Sequence, residues 1–188
     1  MISYAVYDTT TGEILRTGQC TPESLSLKAQ GANEAVIEAV ANDATDYIAD
    51  GQVISKGDQP SPDHIFDYAQ GQWVFDLSQA KASKWSEIKA ARDAQEFGTF
   101  DWGGHTFQCD EVSQRRIQGA VQLALLDSTI ALEWTLADNT SQVFTADDFV
   151  AIGQALAAHV NAGHVKSRAL RAQIDAAQTQ ADIDSIIW

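Results

Sequence analysis

The apolar residues of this chain change their spacing near residue 77, from a period of two to a period near 3.6. A period of two suits half-buried strands and a period of 3.6 suits helices, so one pattern cannot serve both halves. In the first half, Tyr4 and Val6, then Ile14 after the turn-forming cluster Asp8 to Gly12, read as a β-hairpin. Leu25, Leu27 and Ala29 alternate with polar residues in the same way and predict a further strand, as do Val36, Ile37 and Val40 less regularly. Asp50-Gly51 between Tyr47-Ile48 and Val53-Ile54 is the turn signal of a tight hairpin, and Gln70-Gly71 separates Phe66 and Tyr68 from Trp73 to Phe75 likewise. Lys56 to Pro62 reads as a linker, because Pro60 and Pro62 stop both helix and ladder.

From Ser78 the helical period takes over. Ser78 is read as the cap of a helix with Trp85, Ile88 and Ala91 or Arg92 on one face, ending by Gly98 in a left-handed conformation. Phe100 to Gln108 predicts a hairpin turning at Gly103-Gly104. Asp110 caps a second helix, whose apolar stripe is read as Val112, Ile117, Ala120, Val121, Ala124 and Leu125. Ile130 to Leu136 and Gln142 to Phe144 form a hairpin around Asp138-Asn139. Thr145 with Asp148 and Thr179 with Asp182 have the spacing of helix caps, the first opening a long helix through Phe149, Ile152, Leu156, Val160, Gly163, Leu170 and Ile174. The reading is an α+β fold in two modules, an acidic β-rich module over 1–77 and an α+β domain over 78–188. In the second, the two hairpins are expected to join into one four-stranded sheet covered by helices.

Charge narrows the partners. Of 12 basic and 26 acidic residues, 3 and 12 fall in 1–77 and the remainder in 78–188, giving nets of −9 and −5. A chain of net charge −14 lacks the clustered positive charge that phosphate backbones and anionic membrane surfaces require. No apolar run approaches the 18 residues of a membrane span, and MISYAVYDTTTGE has no signal-peptide pattern. Cys20 and Cys109 belong to no CxxC pair, so two buried free thiols in a reducing cytoplasm are expected.

The chain holds no GxSxG, HExxH, P-loop or GxGxxG motif. His159 and His164 are five residues apart, about 500° around a helix, which places the two rings on different faces. Asp110-Glu111 and Asp147-Asp148 sit at helix starts, where negative charge is favoured without any chemistry. No catalytic, cofactor or metal residue is therefore assigned. The candidate partner contacts are Trp102, which beside the Gly103-Gly104 turn is a contact residue if exposed although rings at alternating strand positions are mostly core, and the adjacent cations Arg115 and Arg116.

Lys84 to Asp93 (KWSEIKAARD) resembles the opening helix of a domain of unknown function that recurs in bacteriophage tail and tail-fibre proteins. Gly98 to Phe107 resembles that family's short hairpin, and Asp110 with Ser113 to Ile117 its helix start. Glu133-Trp134-Thr135, Asp138-Asn139, Thr145, His159-Val160 and Ile183 to Trp188 extend the likeness over residues 84–188. Tyr4 to Asp8, Thr11 to Arg16 and Tyr47 to Gly51 are also similar to the head of phage tail-fibre-associated proteins. The resemblance implies a non-catalytic structural component of a tail fibre, tail tip or baseplate, assembled in the host cytoplasm and carried in the virion. It brings no catalytic or binding residues with it. The implied partners are other tail or tail-fibre proteins and further copies of the chain, as in a trimer, with a host surface receptor as an additional one. A tail-fibre assembly chaperone that leaves the particle is the alternative.

Overall fold

Ile2–Asp8 (β1) runs between Ile14–Cys20 (β2) and Glu34–Glu38 (β3), antiparallel to both. Consecutive residues of a strand face opposite sides, and Ala5 and Val6 are both fully buried, so β1 is covered on each face. The turn after β1 is held by the Asp8 carboxylate, which accepts hydrogen bonds from the Thr10 and Thr11 amides and the Thr10 hydroxyl. Gly12 follows with φ +81°, and its carbonyl accepts from the Ile48 amide at 2.8 Å. A β-carbon at residue 12 would stand 2.1 Å from the Ile48 carbonyl oxygen, so only glycine fits. Ala5, Ile14 and Ile48 form the small core here.

Two further ribbons complete this part of the chain: Asp46–Ala49 (β4) with Gln52–Ser55 (β5), and His64–Asp67 (β6) with Gln72–Phe75 (β7). Asp50 and Gly51 both have positive φ, as the tight turn demands. Tyr47, Phe66, Tyr68 and Trp73 pack ring against ring, and the Lys56 ammonium lies over Phe66 and Tyr68. Leu25 and Leu27 are not in a strand. Pro22–Lys28 is a 3-10 helix, and Leu27 is 69% exposed. Pro22 presets the first helical turn.

The computed structural model describes residues 1–188, which form two compact units, Met1–Asp76 and Leu77–Trp188. The second unit contains all the α-helices: Leu77–Glu96 (α1), Glu111–Leu126 (α2), Ala146–Ala176 (α3) and Gln180–Asp184 (α4). Its hairpins are Thr99–Trp102 (β8) with His105–Gln108 (β9), and Ala131–Thr135 (β10) with Ser141–Thr145 (β11). The fold is α+β. α3, about 46 Å long at 1.5 Å per residue, packs against both α1 and α2. Phe107, Ile117, Phe149 and Ile152 are at most 1% exposed and centre a core completed by Phe100, Phe144 and Leu156. No helix is long and apolar enough to cross a membrane.

Four expectations change. The two hairpins remain separate two-stranded sheets. One backbone bond, from the Ala137 amide to the Thr106 carbonyl at 3.0 Å, links them, and rings fill the rest of the junction, with Phe107 and Phe144 centred 5.5 Å apart. Ser78 lies inside α1, which begins at Leu77. Gly98 does not have positive φ; a β-carbon there would lie 2.8 Å from the Ala94 carbonyl oxygen, so close backbone approach is what requires glycine. Val112 and Leu125 are 45% and 72% exposed, outside the stripe that α2 buries.

Candidate interaction surface

α2 is oriented by its N-terminal cap. The Asp110 carboxylate accepts from the amides of Val112 at 2.9 Å and Ser113 at 3.1 Å, and from the Ser113 hydroxyl at 2.5 Å. These bonds, the Ser113 hydroxyl first, hold the Asp110 carboxyl below the usual carboxylate range. The caps of α3 and α4 are reciprocal: Thr145 with Asp148 and Thr179 with Asp182 each exchange side-chain and backbone bonds. Asp148 and Asp182 are likewise held low, Asp148 chiefly by the Thr145 side chain and Asp182 chiefly by the Gln178 amide. These carboxylates are already used as acceptors of helix-end donors, which accounts for their placement.

With its start fixed, α2 turns Ser113, Ile117, Ala120 and Ala124 into the core. A flank of α2 centred about 120° from this buried face carries Val112, Gly119, Leu123 and Leu126, which at 100° per residue fall within about 60° of arc. Leu123 and Leu126 are 43% and 87% exposed. Gly119 sits in the middle of this stripe, and nothing lies within 4 Å of where its β-carbon would be. Glycine in a helix interior is about 0.5–1 kcal/mol less favourable than alanine, and no neighbour within the chain accounts for it. Arg115 and Arg116 border the stripe on either side; both are exposed and neither forms an ion pair or hydrogen bond.

Of the two readings of Trp102, core ring or exposed contact, its position is nearer the first. It ends β8 just before Gly103 and Gly104, both at positive φ, yet its ring is partly buried, lying edge-on to Phe144 at 6.1 Å and packed on the core. The indole folds back because the tight turn leaves it on the inner side of the hairpin beside an apolar wall. Trp102 is not brought to the arginine pair. The aromatic beside Arg116 is Trp134, in a shallow groove of about 320 Å³ that also holds Gln108, Ser113 and Glu133.

Two of the four histidines brace helices. His159 Nε2 is 2.8 Å from the Gln95 carbonyl, and His164 Nε2 is 3.1 Å from Glu96 Oε2, so both reach the C-terminal end of α1. Gly163 lies between them beside α1, where a β-carbon would meet Gln95 Nε2 at 3.4 Å, an ordinary contact distance. No group of three or more His, Cys, Asp or Glu residues is gathered as metal ligands would be. Cys20 and Cys109 are free and buried, and burial pushes the Cys109 thiol upward. A cleft of about 430 Å³ between α2 and α3 is lined by glutamines, Leu156, Val160, Asn161, His164 and Arg168.

Sequence reasoning reached the arginines and missed Leu123 and Leu126. A signal was present: Val112, Gly119 and Leu126 are seven residues apart, with Leu123 between, the repeat of a helix seam. A family model described as Domain of unknown function (DUF4376) matches residues 79–187. No curated protein and no solved structure matches the chain.

Proposed function

The chain belongs to the DUF4376 family, and we propose that it is a non-catalytic structural component of a phage tail, in a tail fibre, tail tip or baseplate. It acts through contacts with other tail proteins and with further copies of itself, as in a trimer, and it is carried in the virion after assembly in the host cytoplasm. Host attachment is an additional role in this reading. The observation that carries the contact role is the outer face of α2, where exposed leucines and two unpaired arginines are held on a firmly capped helix. Apolar residues bordered by polar ones on a rigid element are the ordinary form of a protein-binding surface. The tail assignment is supported by the ordered likeness of residues 84–188 to phage tail proteins.

Mass spectrometry of purified virions tests it directly, with the chain expected at a stoichiometry of whole copies per tail. A chain abundant in infected cells but missing from particles would overturn the reading in favour of the assembly chaperone. Attachment is tested separately: added protein is expected to slow phage adsorption, and unchanged adsorption kinetics would remove that role while leaving the architectural one.

A further inference from the structure

We infer that the outer face of α2 docks an amphipathic helix of a partner protein whose own apolar seam is flanked by carboxylates. This rests on the reading that the chain acts through protein–protein contacts, and it names the surface and the chemistry of what covers it. Val112, Gly119, Leu123 and Leu126 recur at 7, 4 and 3 residues, the spacing with which one helix presents a seam to another. The open space at Gly119 lets a second backbone come close at the centre of that seam.

Charge selects the occupant. Arg115 and Arg116 form no ion pair in a chain whose net charge is −14, although Glu111 precedes Arg115 by one helical turn and Glu133 lines the groove beside Arg116. A second α2 is a poor fit. Paired antiparallel about Gly119, it would set Arg116 about 9 Å along the axis from its mate, and paired in parallel it would set the arginines level with each other. Like charges facing across a contact oppose association, whereas glutamates or aspartates at the flanks of the incoming helix would pair with both arginines.

The test uses the full chain, labelled with ¹⁵N, and two synthetic 21-residue helical peptides with the same leucine seam, one flanked by glutamates and the other by lysines. The glutamate peptide is expected to shift the amides of Val112, Arg115, Arg116, Gly119, Leu123 and Leu126, and to bind at least tenfold more tightly than the lysine peptide. Leu126→Asp, at an exposed site, is expected to weaken it about tenfold with the helical spectrum unchanged. The double change R115E/R116E should reverse the preference towards the lysine peptide. Equal affinity for the two peptides, or shifts that avoid α2, would overturn the inference. Concentration-dependent dimerisation that Leu126→Asp abolishes would also overturn it, by making a second copy the occupant. Finding the chain outside the virion while the charge preference holds would overturn the tail role alone; finding it in the virion without the preference would overturn the docking surface alone.

Discussion

Gly153 lies in α3 where that helix packs on α2, and a β-carbon there would stand 2.6 Å from Cγ2 of Val121. Two opposing effects set the outcome of Gly153→Ala. Alanine is favoured over glycine in a helix interior by about 0.5–1 kcal/mol. Against this, carbons rest at about 3.5–4.0 Å, so the new methyl overlaps Val121 by roughly 1 Å. Valine is stiff about χ1, and forcing it aside or parting the helices costs about 1–3 kcal/mol. Gly153→Ala alone should therefore be destabilising by roughly 0–2.5 kcal/mol, the difference of those ranges. In a Val121→Ala background the clashing methyl is gone, and the same change should be stabilising by up to about 1 kcal/mol. The coupling between the two sites is then about 1–3 kcal/mol. Urea unfolding followed at 222 nm reads the relevant unit, because every α-helix lies within residues 77–188. If Gly153→Ala shifts stability equally in both backgrounds, within about 0.5 kcal/mol, close approach of α2 is not why glycine occupies the site.

Two smaller tests use the same chain. Asp110→Ala removes the acceptor for two α2 amides and should cost about 1 kcal/mol in the urea transition, whereas Asp110→Asn should retain most of the stability. Glu34 receives a two-pronged contact from the Arg16 guanidinium, with further bonds from the Gln30 and Gly31 amides, and its carboxyl is lowered from 4.5 to about 2. Because the folded value lies below the unfolded one, the stabilisation is fully present above pH 4.5 and is lost as the pH falls to about 2. A ¹³C titration of the Glu34 carboxyl should show a midpoint near 2, and a midpoint near 4.5 would refute the ion pair.

Some features whose physics is confined to a few neighbouring residues were legible in the sequence, although the local readings of Ser78 as a cap and Gly98 as left-handed were not met. The caps at Asp110, Thr145 and Thr179 and the turn at Gly103-Gly104 are of this kind, since donor, acceptor and backbone sign lie within four residues of one another. So was the α+β class. Tertiary contacts decided the rest. Leu25 and Leu27 alternate as a strand would, but they stand in the 3-10 helix Pro22–Lys28, which packs on β3 and β1. Trp102 reads as a turn residue, and only the wall formed by Phe144 draws its ring inward. The helix α2 carries apolar residues on more faces than one core can cover. Which of them are buried depended on the side from which α3 and the hairpins arrived, and that choice left Val112, Leu123 and Leu126 facing outward beside unpaired arginines. Periodicity states how many apolar faces a helix has, whereas burial depends on what packs against each, and that is a property of the assembled chain.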